Sequence, residues 1–102
     1  MFVTTARFAT PHAAKYIAQL CKHFAHKVPA DWDEGQGQAA LPSGPVSLRA
    51  EADALLVRIT AEDAKAMIQS RFVVDSHLVT FAHREGFTGL QWQIEAAPAE
   101  VG

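Results

Sequence analysis

Cysteine is nearly missing from this chain. Cys21 is the only one in 102 residues, so no internal disulfide can form, and a lone thiol suits a reducing compartment. Acidic side chains are missing from the first thirty positions, where Arg7, Lys15, Lys22 and Lys27 stand without an Asp or Glu. No apolar run reaches the roughly 18 residues of a membrane span, and the start MFVTTARFAT lacks the basic-then-apolar layout of a signal peptide. The expectation is a cytoplasmic protein with no membrane partner. Also lacking are an HExxH helix, a phosphate-cradling glycine loop and a nucleophile elbow, which removes the commonest motif-borne enzyme chemistries.

What is present fits one folded domain. Hydrophobic residues make up 49% and charged residues 20%, close to the average of folded proteins and far from that of disordered ones. The length allows one core, expected over residues 1–96, with a loose tail over 97–102. The net charge is −2 and the pI about 6.2, so the field that draws proteins to nucleic acid is absent and no nucleic-acid partner is expected. The basic first third still allows a local anion site.

Local patterns give the element order. FVTTARFAT alternates with the two-residue period of a half-buried strand. Thr10-Pro11 reads as a helix start, and Ala13, Ala14, Ile17, Leu20, Cys21 and Phe24 form an apolar stripe before Pro29 ends the helix. Lys15, Gln19, Lys22, His23 and His26 fall largely on the other side. From Val28 to Ile59, turn signals at Glu34-Gly35, Pro42-Ser43-Gly44 and Ala52-Asp53 separate alternating segments, which predicts a four-stranded antiparallel meander with one dry and one wet face. The wet face is itself a possible binding surface.

Thr60-Ala61-Glu62-Asp63 has capping-box spacing, and Ala64, Met67, Ile68 and Phe72 supply an apolar stripe for a second helix. The period stumbles at Val73-Val74-Asp75-Ser76, which predicts a kink or break there. LQWQIEA then alternates as a last strand, with Leu90, Trp92 and Ile94 on one side. The order β-α-β-β-β-β-α-β predicts an α+β fold of two layers, a mostly antiparallel sheet with two helices on one face. It is similar to half-domains of the TATA-binding-protein-like type with a strand appended, a likeness that carries no function.

Two motifs carry a family resemblance. LCKHFAHK at 20–27 and SHLVTFAHRE at 76–85, with Thr10, Pro11, Ala13 and Asp33-Glu34-Gly35, resemble the bacterial family catalogued as domain of unknown function 2218. His83 stands where the family pattern has an aromatic, which removes it from any family role. The resemblance implies an accessory domain rather than a known activity. Some members look like the front part of longer proteins ending in a flavin-binding, siderophore-interacting reductase, which implies iron handling as the context and such a reductase as a partner.

Histidines are the candidate chemistry. His23 and His26, three apart on a helix, have β-carbons about 5–6 Å apart and can turn towards one ion. A third ring is needed, and His77 is the candidate, with Asp33, Glu34 or Glu85 as oxygen donors. The cofactor would be a transition metal or haem iron, and Lys22, Arg84 and Glu85 would complete a ligand site around His23, His26 and His77. The plain alternative is a cationic helix terminus, where each basic side chain offsets the carbonyl end by roughly 0.3–1 kcal/mol. In an acid-base enzyme, the sharper alternative, a histidine would shuttle protons, with Arg84 or Lys22 holding an anionic substrate and Glu85 orienting the ring. Ser76 and His77 point about 100° apart on a helix, which argues against a nucleophile-base pair. Cys21 belongs to the buried stripe. A third reading is an interaction module: Trp32 has the parity of the inward face, and a basic first helix facing away from the acidic DWDE stretch would allow a homodimer.

Overall fold

The computed structural model describes residues 1–95. The expected tail at 97–102 lies outside these, as does the end of the expected last strand. Strand β1 (Phe2–Ala9) leads into helix α1 (Ala13–Phe24); strands β2 (Ala30–Trp32), β3 (Gln36–Leu41), β4 (Gly44–Glu51) and β5 (Ala54–Ala61) follow. Helix α2 (Ala64–Ala82), a 3-10 turn at His83–Glu85 and strand β6 (Gln93–Ile94) complete the chain. The sheet order is β2-β3-β4-β5-β1-β6, and every pairing is antiparallel. This is the expected two-layer α+β architecture.

The hairpin turns sit where the sequence signals them. Asp33 accepts the amide protons of Gly35 and Gln36 at 2.8 and 3.0 Å, which closes the first hairpin. Gly44 opens β4 at φ +147°, and a side chain there would meet the carbonyl of Thr60. Alternation then sorts the sheet: Ala39, Leu41, Val46, Leu48, Leu55, Val57 and Ile59 are buried under the helices, while Gln38, Ser47, Arg49 and Arg58 face water. α1 lies over β2 to β5, and α2 over β4, β5 and β1. Leu20, Leu55, Ile59 and Leu78 are fully buried, each contributing roughly 1.5–3 kcal/mol by the usual area relation.

Several local expectations are corrected. Thr10 does not cap α1; His12 occupies that position without a side-chain bond, and the Thr10 hydroxyl instead accepts from the His12 amide and donates to Glu85. The cap of α2 is Asp63, not Thr60, since Thr60 is still paired in β5 and Asp63 accepts from the Ala66 amide at 2.8 Å. No break occurs at residues 73–76. Asp75 spends its carboxylate outside the helix, on the Leu90 amide and the Trp92 indole, both at 3.0 Å, so it caps nothing. Ile68 and Phe72 are exposed at 61% and 70%, because the buried side of α2 runs through Met67, Ser70, Val74 and Leu78. β6 is two residues long and Ile94 is exposed, although Leu90 and Trp92 pack against the core.

Two polar contacts inside the layers fix how α2 sits. The buried Thr4 hydroxyl donates to the Gln93 carbonyl at 2.7 Å and accepts from the Arg71 guanidinium at 2.6 Å, joining β6, β1 and α2. Ser43 and Ser70 hydroxyls lie 2.6 Å apart, which satisfies the buried Ser70.

Candidate functional site

The two helices run antiparallel, because Tyr16 near the start of α1 bonds Glu85 just past α2, while His23 at the end of α1 meets His77 one stretch back. His77 is held by its place in α2: its Nδ1 lies 2.6 Å from the carbonyl oxygen of Val73, one turn earlier. A carbonyl only accepts, so Nδ1 carries a proton, and in the neutral ring Nε2 is the nitrogen that holds the lone pair. The His23 ring stands with its centroid 4.4 Å from that of His77, tilted by 52°. Phe24 at 5.4 Å from His77 and Phe81 at 6.4 Å from His23 wall the pair on either side.

His23 titrates below its ordinary 6.5, first because its ring is partly desolvated, then through repulsion by His77, His26 and Lys27. The residue as a whole is exposed, so desolvation acts only on the part of the ring packed into the seam. The lowered value favours the neutral form of the His23 ring, whose lone pair is then open to a ligand.

Of the six residues expected to form the site, the structure brings together three rings unequally. His26 lies 6.4 Å from His23, in the turn after α1 rather than on it. Among the described residues, no three His, Cys, Asp or Glu side chains are grouped so as to hold a metal ion. The expected triad is thus a pair with a third ring beside it. Lys22 is exposed and points about 100° around α1 from His23.

Arg84 and Glu85 are not at the histidines. They follow α2, about two helical turns beyond His77, and Glu85 accepts protons from the hydroxyls of Tyr16 and Thr10. Its pKa is lowered chiefly by the Tyr16 bond, against a smaller opposing desolvation, with Thr10, His12 and Lys15 helping. Tyr16, buried beside it, is pushed up to about 12 by burial and then by the Glu85 bond and charge. This cluster ties the start of α1 to the end of α2. Asp33 and Glu34 lie in the β2–β3 turn, where Asp33 is committed to the turn amides.

Cys21 is fully buried, and burial raises its pKa to about 11, so it is no nucleophile. His83 is exposed, with Nδ1 3.1 Å from the Thr80 carbonyl. Trp32 keeps its inward parity, with its β-carbon near Gly37 under α1, yet is 41% exposed because β2 is the sheet edge. The reading of residues missed Phe24 and Phe81 as walls and the Val73 carbonyl as the tether of His77; the spacing 73, 77, 81 along α2 was the available signal.

A second concavity lies on the open face of the sheet, a groove of about 870 Å³ far from the histidines. No helix among the described residues is long and apolar enough to cross a membrane.

Comparison with known proteins agrees with this architecture. A solved structure, the NMR structure of PA4090 from Pseudomonas aeruginosa, is similar with a TM-score of 0.76 and 29% identity, covering 91% of this chain and 96% of that one. No curated protein matches the sequence. The family model described as "Uncharacterized protein conserved in bacteria (DUF2218)" matches residues 5–93, nearly the whole chain and both histidine motifs, and the chain belongs to that bacterial family.

Proposed function

We propose that this domain is a metal-binding accessory module whose site is the His23–His77 pair at the α1–α2 seam. One observation carries the reading: two imidazole rings lie 4.4 Å apart, and His77 has one nitrogen committed to a backbone carbonyl. That second bond is what metal-binding histidines usually make, since it fixes the tautomer and aims the ring. Imidazole suits zinc, copper, nickel and iron. His26 supplies a third ring by rotation of its side chain, and water fills the remaining positions. Iron fits the context implied by the siderophore-interacting reductases, and Lys22 would lend charge to an anionic iron ligand.

Calorimetric titration of the metal-free protein with zinc, nickel and copper tests this. One equivalent is expected to bind the parent, with affinity lost in His23→Ala and His77→Ala and only weakened in His26→Ala. Equal binding in all four proteins would remove the site.

A second reading, a homodimerising module, is favoured by α2 itself. Its outward side carries Ile68, Phe72 and Val79, exposed at 61%, 70% and 40%, and Asp75 on the same side is committed to the Leu90 amide and the Trp92 indole. Sedimentation at high protein concentration decides it: dimers abolished by Phe72→Glu support this reading, and a monomer throughout ends it.

A further inference from the structure

The open sheet face holds an arrangement independent of the histidines. The antiparallel register sets one polar row across all six strands, Gln93, Thr5, Arg58, Ser47, Gln38 and Asp31. In the next row Leu56 has Arg7 beside it on β1 and Arg49 beside it on β4, and Arg58 follows it on the same face of β5. Strands lie about 4.8 Å apart and alternate residues about 7 Å, so the three arginine stems leave the sheet within a patch roughly 10 Å across. All three line the groove of about 870 Å³. The acids lining it, Asp31 and Asp33, stand at the β2 edge.

We infer that this groove is a binding site for a compact small molecule carrying two or more oxyanion groups, carboxylate or phosphate, gripped by Arg7, Arg49 and Arg58 around Leu56. Guanidinium forks match the paired oxygens of both groups. The present partners of the arginines are replaceable. Arg7 meets Asp53 at 3.4 Å, Arg49 meets Glu51 at 3.7 Å and Arg58 meets Glu95 at 3.0 Å, and all six side chains are at least 44% exposed. Such solvent-facing pairs contribute about 0–1 kcal/mol each. The three carboxylates lie at the rim, outside the groove lining, so a ligand that supplies oxygens from within gains the forks without displacing a buried charge. Half-buried Leu56 gives it an apolar seat, and the glutamines and Ser47 supply neutral hydrogen bonds. Charge confined to one half of the face, with acids at the β2 edge, selects a compact anion over a long polyanion.

Titration with pyrophosphate and with citrate, in metal-free buffer and followed by NMR, tests the site. Saturable shifts are expected at the arginine side-chain Nε–H groups and the Leu56 amide, weakening as salt is raised. Arg49→Gln and Arg58→Gln should each weaken binding tenfold or more, and Arg58→Lys, which keeps charge but loses the fork, should weaken it less. His23→Ala and His77→Ala should leave it unchanged, which separates this site from the metal reading. The better of the two probes tells carboxylate from phosphate. Failure of both to saturate, or equal binding in the arginine variants, would overturn the inference.

Discussion

The ring of His77 stands 4.4 Å from that of His23, with its Nδ1 tethered to the Val73 carbonyl, and the charged form of His23 is disfavoured by partial desolvation and then by His77. Charge on His77 works against protonation of His23. In His77→Phe the ring still shields His23 but cannot repel it, so the His23 pKa is expected to rise part of the way towards 6.5, measured by NMR titration. The sign for stability follows from the lowered value: the unfolded chain takes up the proton more readily, so stability falls as pH drops below about 6.5 and levels off below the folded value. An unchanged His23 titration in the variant would show that His77 exerts no charge effect.

Glu85 couples the helices in acid. Its folded pKa is lowered from the ordinary 4.5, so its contribution is complete above that value and is lost as pH falls through the folded one. Glu85→Gln should cost about 1 kcal/mol at pH 7, below the figure for a buried charged bond because the carboxylate is exposed. In chemical denaturation the gap between parent and variant should close once pH has fallen below the lowered folded pKa. A gap that persists there would assign the effect to packing.

Asp75 clips the segment before β6 onto α2. Asp75→Ala leaves the Leu90 amide and the Trp92 indole without their partner and should cost about 1–3 kcal/mol. In a Trp32→Phe background, Trp92 is the only tryptophan, and its emission should shift to the red as the segment loosens.

How much was legible in the residues varies with what fixed each feature. The meander was legible because its turns use Asp33-Glu34-Gly35, Pro42-Ser43 and Ala52-Asp53, whose preferences are local. The course of α2 was not, because its apolar residues are spread around the helix, and Ile68 and Phe72 look like core until the sheet is seen to take Met67 and Val74 instead. Asp75 has the composition of a cap and the job of a clip, which depends on the segment before β6, fifteen to seventeen residues on. The pairing of His23 with His77 rests on antiparallel helices, and the parting of Glu85 from them on Tyr16, both set only by tertiary packing.

Gly37 shows how closely α1 presses on the sheet. A β-carbon there would lie 2.7 Å from the Cys21 sulfur and 2.8 Å from a methyl of Ile17. Gly37→Ala should therefore overpack the seam and cost about 1–3 kcal/mol in urea unfolding, with signals of Cys21 and Ile17 displaced. A neutral substitution would mean that α1 can lift off β3 at little cost.

The most direct test of the histidine site is NMR of the ring nitrogens during zinc addition to metal-free protein. Nε2 of His77 and a ring nitrogen of His23 are expected to shift together and saturate at one equivalent, while Nδ1 of His77 keeps its proton and its bond to Val73. Rings that respond separately, or that do not respond, would contradict that expectation.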